Sequence, residues 1–255
     1  MSFTTTDDHQ EIYFEAHGAG ATTLVFVSGY FGIANIWQPV IRRVSSKYRC
    51  IAYDSRGYGR SSKPTDEKAY SIPRHAADLH TVLTTCNVRS QIVLITHSMG
   101  GSIGAAYHLA HPDRVTGLIQ TGTYLDGVRM GKLLTYDMLT AGVENPSRCV
   151  AFYTAMGLDP STALEAAKWP AYCRRHNAKA LLAWDIGDRY ATFNIPGLVV
   201  QGDLDQATPV ESLARPIADA MPRCRLEVLK GVVHFPPTEA PADMERLIEG
   251  FVKEL

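Results

Sequence analysis

The chain has 255 residues, 45% of them apolar and 20% charged, with a formal net charge of −1. That balance supplies a large buried core and leaves no excess of cations for a nucleic acid or an anionic surface. The length fits one large α/β domain or two small ones. The only tight basic pairs, Arg42-Arg43 and Arg174-Arg175, read as solvated helix faces. Five dispersed cysteines (Cys50, Cys86, Cys149, Cys173, Cys224) form no CxxC pair and no cluster with zinc spacing. Such a set points to free thiols in a reducing compartment.

Met1 to Gln10 is polar and lacks the basic start and apolar stretch of a secretory signal. No apolar run approaches the roughly 20 residues needed to span a bilayer, so the expected setting is the cytoplasm. Short β-rich runs then alternate with helix-like stretches. Strands are expected at Ile12–Glu15, Leu24–Val27, Arg49–Tyr53, Ile92–Ile95, Val115–Gln120, Leu198–Gln201 and Leu226–Leu229. Several are continuously apolar, as strands buried on both faces should be. Helices are expected at Trp37–Ser46, Pro73–Asn87, Gly100–Ala110, Val210–Ala220 and Ala242–Glu254. Pro73 and Pro209 suit first turns, and Asn87 suits an end. The fold class is α/β, a mostly parallel central sheet flanked by helices. The alternation breaks between residues 124 and 192, which read as helices only. A helical cap of about 70 residues inserted between core strands, with 1–123 and 193–255 as the core, accounts for this better than a separate domain with its own core.

Ser98 sits where the strand at Ile92–Thr96 meets the helix at Gly100–Ala110. Small residues around it suit a sharp turn that lifts the serine hydroxyl above the sheet. The helix directs its positive end at any anion forming there, and the N–H of Met99 is placed as an oxyanion donor. Thr96 stands where the G-x-S-x-G motif has its first glycine, and a serine beside glycines often only caps a helix. The motif alone is weak.

Its company is more specific. Ser28-Gly29-Tyr30 follows one strand, and Asp54, Arg56, Gly57 and Gly59 follow the next. His97-Ser98-Met99-Gly100-Gly101, the Gly202–Pro209 loop and the Gly231–His234 loop come after. With these parts in this order, the chain resembles the α/β-hydrolase family over nearly its whole length. Among its branches it is most similar to esterases, to lactonases such as 3-oxoadipate enol-lactonase, and to cofactor-free haloperoxidases. The resemblance implies Ser98 as nucleophile, His234 as base and Asp205 as the acid that orients it, in the family's chain order. Asp126 and Asp203 are the alternative acids. His97, beside the nucleophile, is expected to pack under the turn. The second oxyanion donor is expected from the N–H of Tyr30, with Phe31 the fallback. The Asp54–Ser61 stretch tempts a phosphate-binding reading, but without a P-loop lysine it is expected to be a turn and charge network that supports the site.

Aromatic residues and methionines in the insertion suggest an apolar cavity over Ser98, with Phe31, Tyr124, Trp184 and Phe235 as candidate lining. The implied activity is hydrolysis of a small, largely apolar carboxylic ester or lactone through an acyl-enzyme, with no metal or organic cofactor. The partner is then the small-molecule substrate, without nucleic acid or membrane, and a homodimer is left open. The rivals are a C–C bond hydrolase of a diketone-like substrate, which would use the same triad, and a hydrolase-fold small-molecule receptor. Dehalogenases and epoxide hydrolases need a carboxylate where Ser98 stands.

Overall fold

A computed structural model of the chain describes residues 2–255, so Met1 of the polar N-terminal stretch lies outside the described residues. Eight strands form one sheet: β1 (Ser2–Thr5), β2 (Glu11–His17), β3 (Thr23–Val27), β4 (Arg49–Tyr53), β5 (Ile92–His97), β6 (Val115–Thr121), β7 (Gly197–Gly202) and β8 (Cys224–Leu229). Their order is β1-β2-β4-β3-β5-β6-β7-β8, antiparallel at β1-β2 and β2-β4 and parallel from β4 onward. The central strands β3, β5 and β7 are buried at every position. Helices cover both of their faces, so an unbroken apolar run is what they need. β1 carries no such signal. Only Thr4 of its four residues is buried, because an edge strand needs few inward positions.

The crossovers use α1 (Gln38–Val44), α2 (Ile72–Thr85) and α3 (Met99–Ala110). Ser71 caps α2 by accepting from Arg74 N–H, with proline in the first turn. Asn87, with a φ of +52°, turns the chain out of the helix. Between β6 and β7 run only helices: α4 (Gly127–Met130), α5 (Tyr136–Thr140), α6 (Pro146–Ala155), α7 (Pro160–Ala166) and α8 (Ala171–Leu182), then a 3₁₀ turn at Arg189–Thr192. After β7, the expected helix over 210–220 is two pieces, a π-helical turn at Val210–Ala214 and α9 (Arg215–Ala220). Pro216 has no N–H to continue the ladder, which accounts for the break. The chain ends with α10 (Pro236–Glu239) and α11 (Pro241–Lys253).

Polar links, two of them buried, tie α8 to the core. Asn177 Oδ1 meets His75 Nε2 of α2 at 2.8 Å, Tyr172 OH donates to the Lys63 carbonyl at 3.0 Å, and Tyr30 OH donates to the Arg174 carbonyl at 3.0 Å. Arg174 corrects the expectation of a solvated pair. Its side chain is buried, donating to the carbonyls of Val143 (2.7 Å) and Trp169 (2.9 Å) and to Cys149 Sγ (2.8 Å). Adjacent helical residues lie about 100° apart, so the neighbouring Arg175 can face water while Arg174 faces the interior. Arg42 and Arg43 are exposed as expected.

The Asp54–Ser61 stretch is a charge-braced turn. Asp54 accepts from the N–H groups of Ala34 (2.8 Å) and Arg60 (2.9 Å). Arg56, 0% exposed, donates to both oxygens of Asp78 at 2.6 and 2.7 Å and to Asp8 at 2.8 and 3.0 Å. The N-terminal hairpin, the turn and α2 are thereby pinned together beside β4.

Candidate active site

Ser98 lies between β5 and α3 with φ +53° and ψ −122°. A non-glycine residue adopts that backbone only when its surroundings impose it. Here Ser98 N–H donates to the Thr121 carbonyl at 2.9 Å, and Gly101 N–H donates back to the Ser98 carbonyl at 2.8 Å. The turn also needs bare backbone beside it. A Cβ on Gly100 would stand 2.3 Å from the Val27 carbonyl oxygen, and one on Gly29 would stand 2.7 Å from Ser98 Cβ. Ser98 is therefore held at the N-terminus of a twelve-residue helix, in the positive field of its free N–H groups.

His234 and Asp205 are brought together from the loops after β8 and β7. His234 Nδ1 lies 2.7 Å from Asp205 Oδ2, both side chains fully buried. The carboxylate accepts four more hydrogen bonds. Ala207 and Thr208 N–H groups reach Oδ1 at 2.8 and 2.9 Å, while Gln201 Nε2 and Thr208 Oγ1 reach Oδ2 at 2.6 and 2.7 Å. Burial pushes the Asp205 carboxyl up, but the His234 ring and these bonds outweigh it and bring it down to about 2. An ionised Asp205 favours the ring tautomer with its hydrogen on Nδ1, which leaves Nε2 without one. No hydrogen bond joins Nε2 to Ser98 Oγ, although both residues line one cavity.

Gln201 and Thr208 escaped the sequence reading. Gln201, next to last in β7, is fully buried, donates to the Thr208 carbonyl at 2.6 Å and accepts from Thr123 N–H at 3.1 Å. A buried glutamine at a strand end was the available signal. The other acids are engaged elsewhere. Asp126 caps α4, accepting from Arg129 N–H at 2.6 Å, and Asp203 accepts from Gly231 N–H at 2.7 Å with Lys230 at 3.3 Å. His97 packs beneath the turn, its Nδ1 3.1 Å from Thr121 Oγ1 and its ring 4.8 Å from that of His234. Burial, then the neighbouring His234, holds His97 far below the usual imidazole range, so it stays neutral.

Among the described residues no group accepts from the N–H groups of Met99, Tyr30 and Phe31. The cavity against Ser98 and His234 holds about 20 Å³, room for about one water. Phe31, Met130, Leu134, Leu139, Phe152 and Met156 supply its apolar wall, and among the described residues no Asp, Glu, Lys or Arg borders it. Of the other expected lining residues, Phe235 stands behind it, 4.7 Å from the His97 ring and 5.6 Å from Phe31. Tyr124 is buried near Ser102 and Tyr190 and does not reach the cavity. Trp184 borders an open surface groove of about 570 Å³ between the Asp66–Pro73 segment and α8, away from Ser98. That groove is larger, but it holds none of the groups just described.

A sheet with this strand order, a strained serine at the β5–α3 turn and a histidine–aspartate pair from the last two core loops define a hydrolase architecture. The chain belongs to the α/β-hydrolase fold family, whose model matches residues 22–241. It is 28% identical over 260 residues to "Putative carbamate hydrolase RutD" of Azorhizobium caulinodans, covering 96% of each chain. It is equally close, 28% over 260 residues and 92% of each chain, to non-heme chloroperoxidase CPO-A1 of Kitasatospora aureofaciens. Among solved structures it is similar to Est816, described as an N-acyl homoserine lactone degrading enzyme. The TM-score is 0.80 at 26% identity, over 98% of this chain and 100% of that one. Among the described residues no helix is long and apolar enough to cross a membrane.

Proposed function

We propose that the protein is a serine hydrolase cleaving a small, uncharged carboxylic ester or lactone through an acyl-enzyme, with Ser98, His234 and Asp205 as its triad. The observation that carries this reading is the meeting of Ser98, at the head of α3, and the Asp205-bound His234 on one apolar cavity.

In the proposed cycle His234 Nε2 takes the Ser98 proton as Oγ attacks the carbonyl carbon. The N–H groups of Met99 and Tyr30 receive the oxyanion, aided by the field of α3. His234 then protonates the leaving alkoxide, which departs as the alcohol or, from a lactone, stays tethered to the acyl group. Water attacks the acyl-enzyme with His234 again as base, and the acid and free Ser98 result. The residues 124–192 serve as the cap whose apolar side chains select the acyl group. The uncharged wall favours a neutral acyl chain, since an unpaired charge there would lose its hydration.

A fluorophosphonate probe with mapping of the adduct tests the reading. Labelling is expected at Ser98, and Ser98→Ala is expected to abolish it and lower kcat by about 10⁶. Labelling elsewhere, or unchanged turnover by the variant, refutes the mechanism. A panel of esters, lactones, a carbamate ester and a diketone, followed by product analysis, separates C–O from C–N and C–C cleavage. A receptor would show no more than a single turnover with any of them.

A further inference from the structure

His234 sits in a loop whose backbone is held by a side chain that the mechanism does not otherwise use. Glu239, the last residue of α10, accepts the Val233 N–H at Oε2 (2.8 Å) and the Phe235 N–H at Oε1 (2.7 Å). The N–H of His234 itself, lying between those two, donates to the Met156 carbonyl at 3.1 Å. Three successive peptide N–H groups thus converge on one carboxylate and one carbonyl. Two bonds from one rigid, planar carboxylate fix the orientation of the intervening peptides far better than one bond could.

The other side of the contact is built to admit that carboxylate. Gly157 follows Met156 with φ +95°, and a Cβ there would stand 2.5 Å from Glu239 Oε1. Met156 meanwhile presents its side chain to the cavity at Ser98. Glu239, the histidine loop and the end of α6 therefore form one contact. A shift at any of the three moves the others.

We propose that Glu239 is a positioning residue for His234, setting the direction of its Nε2 by clamping the peptide groups on either side. The proposal rests on the assignment of His234 as base. An imidazole is useful only within a narrow range of angle and distance to the hydroxyl, and a displacement of about 1 Å can cost about a hundredfold in rate. Glu239 stands outside the cavity, so its loss is expected to fall chiefly on kcat.

The test uses Glu239→Ala and Glu239→Gln in the full chain, with kcat and KM on an ester that the wild type turns over, and thermal unfolding alongside. Glu239→Ala is expected to lower kcat about 10- to 100-fold with KM within about twofold. Glu239→Gln keeps one acceptor oxygen and is expected to fall between it and the wild type. The acid limb of the kcat/KM profile is expected to move in Glu239→Ala, because a loosened His234 loses its fixed distance to Asp205. Wild-type kcat with a lowered melting temperature would reduce Glu239 to a structural brace and overturn the proposal. If Glu239→Ala does not fold, Glu239→Gln with wild-type kcat overturns it equally. Fluorophosphonate labelling of Ser98 in the wild type is read first: its failure refutes the triad, whereas labelling with normal kcat in both variants refutes only the clamp.

Discussion

Thr208 Oγ1 donates to Asp205 Oδ2 at 2.7 Å, the same oxygen that receives His234 Nδ1, and lies 3.3 Å from that nitrogen. The hydroxyl therefore braces the carboxylate on the side facing the imidazole. Thr208→Val preserves shape and removes this donor. It is expected to raise the Asp205 pKa and lower kcat about tenfold, in keeping with the net worth of a hydrogen bond to a charged group. Steady-state kinetics with unchanged KM would check it.

Asp205→Asn tests the tautomer. An amide that turns its NH₂ toward Nδ1 stabilises the ring hydrogen on Nε2, where it blocks the base. The expected loss is about 10⁴ in kcat. The same substitution changes acid stability. Asp205 titrates at about 2 when folded against 3.8 as its reference, so its stabilisation is present above about pH 4 and is lost as pH falls through about 2. Urea midpoints measured between those limits should fall more steeply for the wild type than for Asp205→Asn.

Gly29→Ala addresses the proposed oxyanion donors without touching a side chain of the proposed triad. The new Cβ would meet Ser98 Cβ and the His97 carbonyl, each at 2.7 Å, so the loop carrying the Tyr30 N–H must retreat. A loss of about 10²–10³ in kcat is expected, the scale of a removed oxyanion donor. An unchanged circular dichroism spectrum would separate this from unfolding.

Arg56→Ala probes the brace below the site. It leaves buried Asp78 with only Arg74, at 3.6 Å, beside it, and removal of one partner of such a pair costs about 3–5 kcal/mol. Denaturant unfolding measures this directly. Asp8 is partly exposed and can be rehydrated, so Asp8→Asn is expected to cost clearly less.

The architecture was legible where burial is simple. Val25, Ile51 and Leu94 lie in strands with both faces covered, and an unbroken apolar run says so without any alignment. β1 was silent because its single buried position leaves no pattern. The turn at Ser98 could be placed from the strand on one side and the helix on the other. In the insertion, short helices broken by Pro146, Pro160 and Pro170 give too few turns to reveal which face points inward. Tyr124 and Trp184 were therefore grouped with Phe31, yet only Phe31 reaches the cavity. Arg174 misled because charge in a sequence is read as exposure, whereas here four groups accept from its two terminal nitrogens inside the protein. Gln201 and Thr208 were invisible because their role depends on Asp205, a partner fixed only once the loop is folded.

The small size of the Ser98 cavity bears on product partitioning. A chamber with room for about one water cannot store a reservoir of solvent beside a bound acyl group. In the proposed acyl-enzyme route the attacking water must then be drawn from outside the cavity. Hydrolysis and back-reaction compete for the same acyl-enzyme. The fate of the acyl group, released as acid or passed to an added alcohol, then depends on which of the two reaches the ester carbonyl.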